Sequence, residues 1–217
     1  MIHDILDNGA REIGLMLSDE NIKSFELFAV ELKKWNSRTN LTAITRDSEI
    51  AAKHFIDSLY LAPHVFDEDN LLDVGSGAGF PVIPLKIIKP ATAMSSVEAV
   101  AKKTNFQRHM IRILELHGIE VIQARVEDMH VAYAKKFSII TARAFTRLDS
   151  FVSLSAPLLA SGGRLIAMKG ADYEDEIDAS KSKLERLGFA VTAIHPYALP
   201  CNMGEHSLVV LMARESA

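Results

Sequence analysis

The segment Asn70-Leu-Leu-Asp-Val-Gly-Ser-Gly-Ala-Gly-Phe80 joins an apolar run to three glycines at every second position. The run carries an acidic residue, Asp73, and a helix-compatible stretch follows Phe80. Glycine lacks a Cβ and adopts positive φ at little cost, so a ligand can approach the backbone of such a strand–turn–helix closely. The segment therefore predicts a ligand site at the end of a β-strand.

The spacing Gly75-x-Gly77-x-Gly79, with Asp73 two residues ahead, resembles the first motif of S-adenosylmethionine (SAM)-dependent methyltransferases. The main alternative is a dinucleotide site, whose fingerprint is Gly-x-Gly-x-x-Gly. Here the third glycine comes one position early, and Phe80 stands where the last glycine would be. A carboxylate at this point would repel a pyrophosphate but suits the cationic amino end of SAM. The spacing favours methyl transfer, with nucleotide binding and a bare structural turn as alternatives.

Size and composition limit the possible domain organisation, location and kinds of site. The chain has 217 residues and a hydrophobic fraction of 48%, which allows one domain of ordinary size plus an extension. Its apolar runs are shorter than the roughly 20 residues that cross a bilayer, and its acidic start is unlike a signal peptide. A single cysteine, Cys201, excludes an internal disulfide and a Cys-rich zinc site. We expect a cytoplasmic protein without a metal, since the histidines show no metal-ligand spacing.

The net charge of −4 bears on possible partners. Strong stand-alone binding to nucleic acid normally accompanies a basic domain. An RNA substrate would therefore require local positive charge or a pre-shaped RNA–protein particle.

Residues 1–66 are predicted to form an N-terminal helical extension, and residues 67–217 the main domain. Ser18 can cap one helix of the extension, and a second helix is expected from about Asp47 to Pro63. His54, Asp57 and Ser58 share one face of that second helix. They predict either a polar brace between the extension and the sheet or a contact with RNA. A hydrolase triad is disfavoured because no nucleophile elbow surrounds Ser58.

From residue 70 onward, predicted strands alternate with predicted helices, which indicates a mainly parallel, doubly wound sheet with helices on both faces. The helix that begins near Leu148 is expected to run through Leu159 and to end at Gly162-Gly163. Two late apolar runs have no helix between them and predict a closing hairpin. The predicted strands are Leu71–Val74, Met94–Glu98, Glu120–Ala124, Phe137–Ala142, Arg164–Met168, Phe189–His195 and Ser207–Ala213.

Ligands of an open α/β sheet bind beyond the carboxyl ends of its strands. The first strand ends in Gly75 and Gly77, and Glu98 at the end of the second can accept hydrogen bonds from ribose hydroxyls. The third strand leads into Arg125-Val-Glu-Asp128, where a backbone N–H and a carboxylate can contact an adenine. The fourth and fifth strands end in basic residues that suit an anionic substrate, namely Arg143 and Lys169.

The residues at the end of the fourth strand also indicate which kind of atom is methylated. Enzymes that methylate amines tend to carry Asp/Asn-Pro-Pro-Tyr/Phe here, whereas this chain has Thr141-Ala-Arg-Ala-Phe145. Methylation of pyrimidine C5 needs a cysteine nucleophile, and Cys201 lies far downstream. Guanine N7 is already nucleophilic and carries no proton, so positioning can supply most of the catalysis. The pattern fits a ring nitrogen.

Several further stretches match one family in its own order along nearly the whole chain. They are Lys34-Trp-Asn36 with Asn40-Leu-Thr42, His54-Phe-Ile-Asp-Ser58, Asp73 to Pro84, Arg125-Val-Glu127, Arg143-Ala-Phe145, Lys169-Gly170 and His206-Ser-Leu-Val-Val210. With these motifs the chain resembles the bacterial 16S rRNA guanine-N7 methyltransferase family, also called glucose-inhibited division protein B. Val82 and Ala99 depart from it, since glycine and serine are common at these positions.

The resemblance implies a Rossmann-like class I SAM-dependent methyltransferase with a seven-stranded sheet and SAM as its cofactor. The implied substrate is a guanine of 16S rRNA, within a small ribosomal subunit or an assembly intermediate, with no obligate protein partner evident. A methyltransferase for a small molecule or protein is the alternative. The resemblance implies Gly75, Phe80, Val126, Glu127 and Arg143 for the cofactor, and the strand ends add Gly77 and Glu98. The candidates for positioning the substrate are Arg143, Lys169, Asn40 and His54.

Overall fold

The structure is a computed structural model, and it describes residues 2–214. Its strands are β1 (Asn70–Val74), β2 (Ala93–Val97), β3 (Ile119–Ile122), β4 (Phe137–Arg143), β5 (Leu159–Lys169), β6 (Phe189–Ala198) and β7 (Glu205–Ala213). They form one seven-stranded sheet in the order β3-β2-β1-β4-β5-β7-β6. Strands β1 to β5 run parallel, whereas β7 is antiparallel to β5 and β6. The predicted parallel sheet and closing hairpin are confirmed.

Helices cover both faces of this sheet. They are α1 (Ile2–Glu12), α2 (Asp19–Thr39), α3 (Asp47–Glu49), α4 (Asp57–Leu59), α5 (Val82–Ile88), α6 (Ala101–Ile113), α7 (Leu148–Ser155) and α8 (Tyr173–Arg186). A π-helix, Ile50–Ile56, makes α3 and α4 continuous. Short 3-10 helices lie at Ala62–His64, Val126–Met129, Ala156–Leu158 and Pro200–Asn202. Within residues 2–214, no helix is long and apolar enough to cross a membrane.

The two sides of the sheet bury separate apolar clusters, because successive side chains of a strand point to opposite faces. Leu71 packs with the N-terminal helices, α5 and α6, whereas Leu72 packs with α7 and α8. Ile139 and Ile140 on β4 divide in the same way. The near-continuous apolar runs in the sequence thus reflect strands that are covered on both faces.

The first long helix of the extension, α2, begins at the predicted cap. The Ser18 hydroxyl accepts a hydrogen bond from the backbone N–H of Asn21 at 3.1 Å, and the Asn21 side chain accepts one from the Ser18 N–H at 3.1 Å. This reciprocal pair satisfies two N–H groups that the first helical turn would leave unpaired.

The apolar face of α2 packs onto the segment that follows the glycines. Phe28 is fully buried and stacks on Phe80 with ring centroids 5.1 Å apart. The extension therefore shares one continuous core with the sheet, and the division at residue 66 stays a prediction.

The predicted end of the helix after β4 is wrong. Helix α7 stops at Ser155, not at Gly162-Gly163, and β5 already begins at Leu159. Pro157 explains the early stop, because proline has no N–H to donate and its ring clashes with a preceding carbonyl of the helix. The glycines lie within an irregular part of β5, where an added Cβ on Gly163 would come within 2.9 Å of the main-chain oxygen of Ser138.

Candidate functional site

The turn after β1 has the backbone that its glycines predict. Gly75, Gly77 and Gly79 have φ angles of +71°, +57° and +92°. An added Cβ on Gly75 would overlap the ring of Phe145, whereas one on Gly77 would meet nothing within 4 Å. The backbone at Gly77 is therefore open to a ligand.

A first cavity of about 360 Å³ lies on one side of this glycine turn. Its lining includes Gly75, Glu98, Val126, Glu127 and Phe145, so four of the residues predicted for the cofactor come together here. Val126 is buried at the start of its 3-10 helix, and Glu127 beside it is exposed.

The protein itself fixes the Glu98 carboxylate. One carboxylate oxygen accepts from the backbone N–H of Gly77 at 3.0 Å, and the other accepts from the N–H of Val100 at 2.9 Å. Lys103 places its ammonium 3.6 Å away. Each carboxylate oxygen has a further lone pair, so Glu98 can still accept from the hydroxyls of a ribose.

A second cavity of about 500 Å³ lies on the other side of the turn. Its lining includes Thr42, Lys53, His54, Phe80 and Arg143. Both cavities are lined by Gly75 and Ala144. One extended ligand can therefore run from the first cavity to the second across the glycine turn.

Arg143 is held on several sides in the second cavity. Its Nη1 donates to the carbonyl of Lys53 at 2.8 Å and to the Asp57 carboxylate at 3.1 Å. Its guanidinium also lies over the Phe80 ring, 5.2 Å from the centroid, and the face of an aromatic ring attracts a cation. These contacts fix the guanidinium before any ligand binds.

Asp57 connects this arginine to the C-terminal hairpin. One of its carboxylate oxygens accepts from the Tyr197 hydroxyl at 2.9 Å and pairs with Nδ1 of His206 at 2.7 Å. Burial opposes ionisation of Asp57, but the hydrogen bond to His206 and the charge of Arg143 outweigh it and lower the pKa of the carboxyl. The predicted polar brace between extension and sheet is confirmed for Asp57 and His54, whereas the Ser58 hydroxyl donates to the carbonyl of His54 within its own helix.

His54 lies between Arg143 and Thr42. Its Nδ1 is 3.2 Å from Nη2 of Arg143, and its Nε2 is 3.0 Å from the Thr42 hydroxyl. The imidazole stacks on Phe80 at 4.4 Å between centroids. Burial and the nearby Arg143 charge lower the pKa of His54 to about 3, so the ring is neutral at physiological pH.

The structure places two of the predicted substrate-positioning residues away from both cavities. Asn40 is the exposed left-handed cap of α2, with φ +48°. Lys169 donates to Glu176 at 2.7 Å and to the carbonyl of Thr146 at 2.8 Å. Their contact with a substrate stays a prediction.

Sequence reasoning assigned no individual role to Thr42, Tyr197 or His206. Thr42 enters the second cavity because the Asn36 side chain accepts from the backbone N–H of Leu41 at 2.6 Å and of Thr42 at 2.9 Å. The motif Asn40-Leu-Thr42 contained this signal, but of its residues only Asn40 was predicted to position the substrate.

Asp73, the acidic residue of the glycine motif, lies beneath the turn and lines neither cavity. It is fully buried, and neither carboxylate oxygen has a hydrogen-bond partner among residues 2–214. The Ser76 hydroxyl donates to the main-chain carbonyl of Asp73 rather than to its carboxylate. Burial raises the pKa of Asp73 to about 7. Asp73 therefore lies outside both cavities, and its action on a cationic ligand stays a prediction.

This raised pKa gives a pH-dependent stability. Between about pH 4 and pH 7 the folded chain binds a proton on Asp73 that the unfolded chain has released, so the free energy of unfolding falls as pH rises. Asp73→Asn removes this loss. We expect the variant to gain stability relative to the wild type by up to about 1.4 kcal/mol per pH unit between pH 5 and pH 7. Urea unfolding of both proteins across this range measures the difference, and a pH-independent difference would contradict it.

Known proteins are similar to this chain in sequence, and others are similar to it in fold. The family description "GidB: rRNA small subunit methyltransferase G" matches residues 21–202. The ribosomal RNA small subunit methyltransferase G of Geobacter sulfurreducens is 47% identical over 94% of each chain. That of Geobacter sp. strain M21 is 44% identical over 96% of each chain.

A solved structure bears on the fold alone. The crystal structure of a SAM-dependent methyltransferase from Aquifex aeolicus superposes with a TM-score of 0.60 at 15% identity. The match covers 85% of this chain and 98% of the other. It confirms the predicted class I methyltransferase fold.

Proposed function

The chain belongs to the rRNA small subunit methyltransferase G family, and we propose that it transfers a methyl group from SAM to N7 of a guanine in 16S rRNA. The observation that carries the proposal is the open glycine turn between two cavities, one holding Glu98 and the other holding Arg143. We further propose that the protein works in the cytoplasm and divides into an extension, 1–66, and a catalytic domain, 67–217.

The residues around the glycine turn fit SAM. Glu98, fixed by two backbone N–H groups, is placed to accept from the ribose hydroxyls, and Val126 and Glu127 border the same cavity. Gly77 leaves bare backbone where the chain of the cofactor would cross, and Gly75 borders both cavities. Arg143 provides positive charge in the second cavity for a carboxylate. SAM, when bound, supplies an electrophilic methyl group on its sulfonium sulfur.

The task of the protein is positioning. Guanine N7 carries no proton, so a general base is unnecessary, and alignment of N7 with the methyl group lowers the barrier. His54 is neutral, and both oxygens of Asp57 are already hydrogen-bonded. These two residues hold Arg143 in place and leave proton transfer out of the reaction.

We propose that the guanine is presented by a small ribosomal subunit or an assembly intermediate, without an obligate protein partner. The net charge of −4 supports a structured particle rather than free RNA, because free RNA is held mainly through its phosphates. The cations in the second cavity, Lys53 and Arg143, supply local positive charge.

Methyl transfer to purified small subunits tests the proposal. The protein is incubated with methyl-labelled SAM and small subunits from a strain that lacks it, in parallel with naked 16S rRNA and with no RNA. We expect label as 7-methylguanosine in 16S rRNA, with the subunit preferred over naked RNA. Absence of label at guanine N7, or equal incorporation without RNA, would refute the proposed function.

A further inference from the structure

The hydrogen bonds from Arg143 through His54 to Thr42 have one possible direction. A guanidinium has only donors, so Nδ1 of His54 must accept from Nη2 of Arg143 at 3.2 Å. Because the imidazole is neutral, its single proton lies on Nε2. Nε2 therefore donates to the Thr42 hydroxyl at 3.0 Å.

The Thr42 hydroxyl then has one proton to give. It accepts from His54 and also from the backbone N–H of Ile44 at 3.1 Å. A hydroxyl has two acceptor lone pairs and one proton, so both lone pairs are occupied. Among residues 2–214, none accepts a hydrogen bond from this hydroxyl, and Thr42 lines the second cavity. Its proton is left for a ligand there.

The charged groups near Thr42 favour an anionic ligand. Arg143 gives three of its five N–H groups to Lys53, Asp57 and His54, which leaves two. The carboxylate that lines this cavity, Asp57, has both oxygens engaged. Thr42 and Arg143 therefore present donors to the second cavity, and among residues 2–214 no free carboxylate lines it.

We propose that Thr42 donates a hydrogen bond to the carboxylate of SAM, together with Arg143. This inference rests on the proposed function, since it takes SAM as the cofactor. With the adenosine in the first cavity beside Glu98, the amino-acid end crosses Gly75 into the second cavity. The carboxylate is the anionic group that SAM brings there. The extension thus contributes directly to cofactor binding.

Two ligands distinguish the loss of this hydrogen bond from a general loss of cofactor binding. S-adenosylhomocysteine carries the carboxylate, whereas 5′-methylthioadenosine lacks the entire amino-acid end. Calorimetry on the full chain compares Thr42→Val, which removes the donor, with Thr42→Ser, which keeps it. Thr39→Val is the matched control, because the Thr39 hydroxyl donates to the carbonyl of Trp35 on α2 and lines neither cavity.

We expect Thr42→Val to weaken S-adenosylhomocysteine about tenfold, because it removes a hydrogen bond to a charged group. Binding of 5′-methylthioadenosine should change less than about twofold, and Thr42→Ser and Thr39→Val should bind both ligands nearly as the wild type does. Unchanged S-adenosylhomocysteine binding, or equal weakening of both ligands, would overturn the inference. A wild-type protein that binds neither ligand would overturn the proposed function and this inference together.

Discussion

Gly75→Ala is expected to weaken S-adenosylhomocysteine binding at least about a hundredfold, a loss of about 2.7 kcal/mol or more. Gly75 has a φ of +71°, a region that costs an L-residue about 1–2 kcal/mol. The new Cβ would also overlap the Phe145 ring, and Phe145 lines the first cavity. Either the turn or the ring must move to relieve that overlap, and both border the first cavity. Calorimetry measures the effect.

Gly14→Ala is the matched control for the backbone strain alone. Gly14 has a φ of +79°, and an added Cβ there would meet nothing within 4 Å. It follows α1 and lies outside both cavities. We expect it to lower the free energy of unfolding by about 1 kcal/mol and to leave ligand binding unchanged. Normal binding by Gly75→Ala would contradict the assignment of the glycine turn as the cofactor site.

Asp57→Ala is expected to lower the free energy of unfolding by about 3–5 kcal/mol and to abolish methyl transfer. The substitution leaves the guanidinium of Arg143 without its counter-charge, and the Tyr197 hydroxyl and His206 lose their shared acceptor. Asp57 is only 2% exposed, so water cannot readily replace the carboxylate. Urea unfolding gives the stability, and labelled SAM with small subunits gives the activity.

Asp7→Ala is the control for this substitution. Asp7 pairs with Arg11 at 3.1 Å on the exposed face of α1. Surface pairs of this kind contribute at most about 1 kcal/mol, so we expect little loss of stability and full activity. An Asp57→Ala protein as stable as Asp7→Ala would show that Asp57 does not hold the extension and the hairpin together.

The parts of the fold that follow from short sequence patterns were predictable. The glycine motif fixed the turn after β1, and Ser18 fixed the start of α2, because each depends on the backbone of a few neighbouring residues. Buried strands such as Phe137–Arg143 are visible as apolar runs. The early end of α7 was also encoded locally, in Pro157, but the apolar spacing up to Leu159 concealed it.

The site is formed mainly by contacts between residues that lie far apart in the sequence. Asp57 meets Tyr197 and His206 across separations of 140 and 149 residues, which only the register of β6 and β7 determines. Lys169 ends β5 as predicted, yet Glu176 one helical turn into α8 engages its ammonium. Position at a strand end was therefore sufficient to identify Glu98 and Arg143 as neighbours of the cavities, and insufficient for Lys169.

The content of 7-methylguanosine in 16S rRNA tests the central claim most directly. Nucleoside analysis compares cells that contain the protein, cells that lack it, and lacking cells supplied with the wild type or with Gly75→Ala. We predict that 7-methylguanosine falls when the protein is absent, returns with the wild type and stays low with Gly75→Ala. An unchanged 7-methylguanosine content in cells that lack the protein would contradict the account.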